Sequence, residues 1–315
     1  MTDRALAPPR PATWGPPTTP IGVPAGYVAS QPDVRPPFDE PTPPHETLPA
    51  VIGGGALVVL TVSLLGSKFV LDALVGFEWP VVVYIALTAL VGYGPSLAWW
   101  WYSTQRWGSG KPLHDVGFRP RWTDIAWGPV IWFATILMQV MVGAIVLGLD
   151  IPIANNTDDI GDLNADRTYT IAILITAVVA APIVEELVFR GMVMRSLLER
   201  MPVVAAVILQ GVLFGVAHVD PVRGIGNVGL AMVLSGVGIS LGGAAYLLRR
   251  IGPTMVAHAI FNGLVMLLLL TGWRDQLLEN NDNPFEARSA TEQVAVVDEA
   301  HVAEPDRGRD PHRSR

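Results

Sequence analysis

Residues 171–200 read IAILITAVVAAPIVEELVFRGMVMRSLLER. The apolar run from 169 to 189 is long enough to cross a bilayer, since about 20 apolar residues in a helix span the hydrocarbon core. Near the end of that run stand Glu185 and Glu186. A carboxylate at membrane depth costs about 2.5–3.5 kcal/mol on insertion scales, so two adjacent ones need a reason. Consecutive helical residues point about 100° apart, so the pair cannot do one job together. Glu186 and Arg190 are spaced i and i+4, on one helix face, which predicts an ion pair. No cation lies one turn from Glu185 to neutralise it. The plainer alternative is that both side chains snorkel where the helix leaves the membrane.

Runs of the same kind occur on either side, at about 50–70, 80–103, 125–149, 203–218, 226–248 and 253–272, the one at 203–218 being short. Together they predict an all-α fold, a polytopic transmembrane bundle of about seven or eight helices. Composition agrees: half the residues are hydrophobic, 16% are charged and the mean hydropathy is +0.40. A soluble domain carries more charge. The membrane domain is placed at 49–273, with its chemistry in a core at 169–272. About half of the 27 prolines fall before Ala50, and residues 1–48 read as a disordered, proline-rich tail. Residues 274–315 are polar, of mixed charge, and read as a second disordered tail. No cleavable signal peptide is visible. The chain has no cysteine, which excludes disulfides, thiolate zinc sites and a cysteine nucleophile. There is no basic stripe for nucleic acid, and the net charge of −7 lies mostly in loops and tails. Lipid is the partner that the composition requires.

Loop charge orients the stack. Linker 104–124 carries Arg106, Lys111, Arg119 and Arg121, follows an aromatic belt at Trp99, Trp100, Trp101 and Tyr102, and reads as cytoplasmic. Linker 150–168 carries Asp150, Asp158, Asp159, Asp162 and Asp166 against Arg167, and reads as extracytoplasmic. Arg190, Arg195 and Arg200, and then Arg249 and Arg250, read as cytoplasmic again. The N-terminus is therefore expected inside and, with seven spans, the C-terminus outside. The run at 226–248 is rich in small residues, among them Gly238 and Gly242, and reads as a close-packing helix.

Of the six histidines, only His218 and His258 lie in or beside apolar helices. Phe214 is one turn before His218, and Asn262 is one turn after His258 on the same face. Met201 and Pro202 break the helix between the fourth and fifth runs. Glu185 lies sixteen residues before Met201 and His218 sixteen after Pro202. In an antiparallel hairpin both stand about 24 Å from the turn, at one level, and can meet.

A glutamate and a histidine converging on water can take its proton and make a nucleophile. A second histidine and an asparagine amide can donate to a developing oxyanion. That assembly suits amide hydrolysis. Two histidines and a carboxylate also match a catalytic zinc shell, although the HExxH motif is absent. Residue type alone does not separate the two mechanisms, so no cofactor is assigned and zinc on Glu185, His218 and His258 stays open.

Three motifs stand in order: Glu185-Glu186-Leu187-Val188-Phe189-Arg190, Phe214-Gly215-Val216-Ala217-His218 and His258-Ala259-Ile260-Phe261-Asn262. This pattern of EExxxR, FxxxH and HxxxN resembles the CPBP intramembrane proteases, which include type II CAAX prenyl endopeptidases and the bacteriocin-processing or immunity proteins of the Abi family. The resemblance covers residues 169–272. It implies an intramembrane endopeptidase acting on a membrane-associated protein or peptide. Glu185 and His218 would activate water, and His258 and Asn262 would stabilise the oxyanion. Glu186 and Arg190, with Phe214, would support them. The family has been described both as metalloproteases and as metal-free glutamate proteases, and the glutamate mechanism is the one expected here. Residue usage points to a bacterial cell membrane. Two competing readings remain: a non-enzymatic immunity or scaffold protein using the polar groups as interhelical glue, and a proton relay or transporter. The lack of an internal repeat counts against the transporter.

Overall fold

A computed structural model describes residues 47–74, 77, 79–154, 157, 160, 163–219 and 224–272. Apart from Thr47 and Leu48, the two tails lie outside the described residues. Among the described residues every regular element is helical. They are α1 (Ala50–Leu74), α2 (Val81–Trp107), α3 (Pro112–Asp115), α4 (Thr123–Gly148), α5 (Arg167–Ile175), α6 (Ala181–Glu186), α7 (Met194–Leu198), α8 (Val203–Val216), α9 (Gly226–Leu248) and α10 (Gly252–Leu270). Elements α5, α6 and α7 form one continuous span, Arg167–Leu198, interrupted by π-helical segments at Thr176–Ala180 and Leu187–Val193. Six helices are long and apolar enough to cross a membrane, and α8 is the short seventh. The expected bundle is therefore what the chain forms.

The fourth span runs through the middle of the bundle, against α1, α2, α8 and α10. From Val184 to Leu198 it is buried on nearly every side, whereas α1, α2 and α4 leave large apolar side chains exposed where lipid would cover them. Helix α8 is about 21 Å long at 1.5 Å per residue, shorter than the roughly 30 Å hydrocarbon core.

Small residues set how closely α8 and α9 approach. A Cβ on Gly215 would collide with the Ala231 carbonyl and stand 2.7 Å from the Ser235 nitrogen, and one on Gly238 would stand 2.8 Å from the Gly211 Cα. These neighbours are backbone, which cannot swing aside. Gly215→Ala is therefore expected to destabilise the protein by about 1–3 kcal/mol, read as a lower unfolding midpoint in detergent. An unchanged midpoint would mean that the two helices are not held at this distance.

Several contacts tie one end of the bundle together. Arg250 pairs with Asp124 at 2.8 Å. The Ile251 N–H donates to the Gly117 carbonyl at 3.2 Å, and the Leu48 N–H to the Arg195 carbonyl at 3.1 Å. The arginine-bearing linkers at 104–124, 195–202 and 249–250 thus share one side, as their charge predicts. At the opposite side the Ala154 N–H donates to the Gly226 carbonyl at 2.9 Å. The aromatic belt is divided. Trp99 and Trp100 turn inward, their indole N–H groups donating to the Ile52 and Pro112 carbonyls at 2.9 and 3.2 Å, while Trp101 and Tyr102 stay exposed.

Candidate active site

Glu185 and Glu186 end α6, and the 100° between them decides which groups each can reach. Glu186 turns into the core. Its Oε1 accepts from Arg190 Nη1 at 2.8 Å, with both side chains fully buried. The same Oε1 accepts from His258 Nδ1 at 3.1 Å. Glu185 turns the other way, and its Oε2 stands 3.8 Å from the Nε2 of His218 and 3.8 Å from the Nε2 of His258. One imidazole on α10 therefore spans both carboxylates, one on each nitrogen. The sequence spacing predicts the Glu186–Arg190 pair; the link from Glu186 to His258 could come only from the packing of α6 against α10.

The Nδ1 partners determine the tautomers. His218 Nδ1 lies 2.8 Å from the Phe214 carbonyl, and His258 Nδ1 lies on a carboxylate. Both acceptors need a hydrogen from Nδ1, so in each neutral ring Nε2 is the lone-pair nitrogen. Glu185 Oε2, buried and without a hydrogen-bond partner, faces both. Three acceptors face one another here with no donor between them. Beside His218, His258 and Asn262 lies a cavity of about 40 Å³, enough for water. A water donating one hydrogen to Glu185 and the other to His218 would satisfy two of the acceptors and keep a lone pair for attack.

Zinc was the other reading of the same residues. The donor types suit it, but a tetrahedral ion with bonds of about 2.0–2.2 Å holds its ligands roughly 3.4 Å apart. The separations here are 3.8 Å, and among the described residues no three His, Asp or Glu side chains form a metal-holding group as they stand. The arrangement does not fit the ion without a side-chain shift.

Phe214 holds the parts together. Its ring is buried against Phe189, lies 4.7 Å from the His218 ring and 5.9 Å from the His258 ring, and carries the Arg190 guanidinium 4.5 Å above its face. Arg190 Nη2 also donates to the Gly238 carbonyl at 3.1 Å, which Gln210 Nε2 shares at 2.8 Å. These bonds tie the fourth span, α8 and α9 at one point.

Asn262 is placed by a defect in the fourth span. Pro182 has no N–H, and its ring crowds the carbonyl of the preceding turn. The helix widens just before it, and the Ala181 N–H donates five residues back, to the Thr176 carbonyl. The next such acceptor, Ala177, would need the missing N–H of Pro182. Asn262 Nδ2 supplies the hydrogen instead, at 2.7 Å. One amide hydrogen of Asn262 is used in this way, and the second remains. Single π turns recur at functional sites, and here one creates the acceptor that anchors a site residue.

The structure thus brings Glu185, Glu186, Arg190, Phe214, His218 and His258 into one cluster, of which Phe214, His218 and His258 line the cavity together with Asn262. The sequence reading missed Thr135 of α4, which lines that cavity too. Nothing in a lone threonine of an apolar run could have marked it.

No curated protein and no solved structure matches the chain. A family model does, and it describes a protease family. Helices α1, α2 and α4 lie outside its match. Residues 167–264, which contain all three motifs, match the family described as "Type II CAAX prenyl endopeptidase Rce1-like", the family that those motifs resemble.

Proposed function

We propose that the protein is an intramembrane endopeptidase that hydrolyses a peptide bond of a membrane-associated protein or peptide. The observation that carries this reading is the buried Oε2 of Glu185, without a hydrogen-bond partner and set 3.8 Å from the Nε2 atoms of His218 and His258. Water held there gives its proton to Glu185, with His218 Nε2 as the second acceptor, and its oxygen attacks the carbonyl carbon. The proton then passes to the leaving amine. The second amide hydrogen of Asn262 donates to the oxyanion.

His258 carries a condition. With its Nδ1 hydrogen on Glu186, the neutral ring has no donor at Nε2. To stabilise the oxyanion it must hold hydrogens on both nitrogens, and the carboxylates on its two sides are the groups that would steady such a cation. Glu186 and Arg190 act through His258, fixing its ring. The arginine-bearing side of the bundle is read as cytoplasmic, with the site opening toward it and the N-terminus on that side.

The test uses purified full-length protein in proteoliposomes with a set of membrane-anchored reporter peptides, the products being identified by mass spectrometry. Wild type is expected to cut, and His218→Ala is expected to lose the activity while remaining folded. Equal cleavage by wild type, Glu185→Ala and His218→Ala would overturn the reading. Lower unfolding midpoints in both variants, with no cleavage by any of the three proteins, would favour an immunity or scaffold role. Treatment with a strong zinc chelator is expected to leave the rate unchanged. One zinc per chain, lost together with activity on chelation, would replace the glutamate mechanism.

A further inference from the structure

Among the described residues four polar side chains line the cavity, His218, His258, Asn262 and Thr135, the others there being apolar. Thr135 belongs to none of the three motifs and lies outside the matched stretch at 167–264. It is 2% exposed. Its hydroxyl donates to the Ile131 carbonyl at 2.8 Å, the usual back-bond of a helical threonine. The Ser240 hydroxyl of α9 stands 3.0 Å from the same oxygen. A hydroxyl has one hydrogen and two lone pairs. With the hydrogen of Thr135 on Ile131, Ser240 donates to Thr135, and one lone pair remains. Back-bonding explains where the hydrogen goes and the α4–α9 link explains one lone pair. Neither accounts for the other, on the wall of the cavity that holds the site.

The site's own polar groups leave a particular need unmet. Glu185 and His218 are committed to water, and Asn262 offers a donor. A peptide reaching this cavity gives up the water on its backbone N–H groups and needs an acceptor for them. We propose that Thr135 is a substrate-binding residue: its hydroxyl oxygen accepts a hydrogen bond from a backbone N–H of the peptide beside the scissile bond, with Ser240 holding the hydroxyl in that orientation. This rests on the endopeptidase reading.

The experiment uses the reconstituted full-length protein and a membrane-anchored peptide that it cleaves. A depsipeptide series accompanies it, each member having one backbone N–H near the scissile bond replaced by an ester oxygen. Thr135→Val keeps the shape and removes the oxygen. It is expected to lower kcat/KM about tenfold, the worth of one hydrogen bond, while Thr135→Ser stays within about twofold of wild type. One depsipeptide is expected to lose the same factor with wild type and nothing further with Thr135→Val. Wild-type efficiency in Thr135→Val, or an additive loss with every depsipeptide, would overturn the assignment and leave the endopeptidase reading intact. Cleavage that survives Glu185→Gln would overturn that reading, and this assignment with it.

Discussion

Glu185→Gln is expected to reduce cleavage by about 10²–10⁴-fold, the contribution of a positioned general base, while leaving the unfolding midpoint where it was. The substitution changes one oxygen into an amide group and keeps the size of the side chain. It removes the proton acceptor and puts a donor where three acceptors now converge. Glu185 Oε2 has no hydrogen-bond partner to lose. Its neighbours are imidazole nitrogens at 3.8 Å, beyond hydrogen-bond range. An oxygen that makes no hydrogen bond has none to lose, so its replacement by an amide should separate activity from folding. Cleavage at the wild-type rate, or collapse of the fold without it, would show that Glu185 is held for packing.

Glu186→Ala is expected to do the reverse, costing about 3–5 kcal/mol of stability as well as activity. Glu186 and Arg190 are both fully buried, and removing the carboxylate takes away the counter-charge in contact with the guanidinium, leaving Glu185 as the carboxylate that still acts on it without contact. The guanidinium's other contacts, the Gly238 carbonyl and the Phe214 face, carry no opposing charge. Replacing both partners, Glu186→Leu with Arg190→Leu, is expected to recover much of that stability, since an apolar pair can substitute for a buried ion pair. Cleavage should not return with it. His258 Nδ1 would still lack its acceptor, and losing the outer partner of a functional histidine typically costs about 10–100-fold. The readouts are the unfolding midpoint in detergent and the cleavage rate. A single variant as stable as wild type would refute the buried-pair argument. A double variant with full activity would refute the positioning of His258 by Glu186.

These two glutamates also show how far sequence reasoning reached. Their adjacency, the 100° between helical neighbours and the arginine four residues on were enough to assign them different jobs. Equal spacing about Met201 and Pro202 was enough to bring Glu185 level with His218, because helix rise is fixed and a hairpin has only one way to fold back. The bundle itself followed from the apolar runs, since backbone polar groups in lipid must be satisfied within a helix.

The cross-links followed from no local rule. That His258 touches both carboxylates depends on where α10 packs against α6. That Asn262 reaches the Ala177 carbonyl depends on a π turn before Pro182, and proline in a sequence announces a disturbance without saying whether the helix kinks, ends or widens. That Thr135 lines the same cavity depends on α4 packing between α9 and α10. The sequence by itself determined the spans, the level of the site within them and the residue types able to act there, because periodicity and solvation are properties of each segment alone. Only the tertiary structure decided which nitrogen faces which carboxylate and which outside residue joins the cavity wall, because those distances arise between helices whose separation is set by small residues such as Gly211, Gly215 and Gly238.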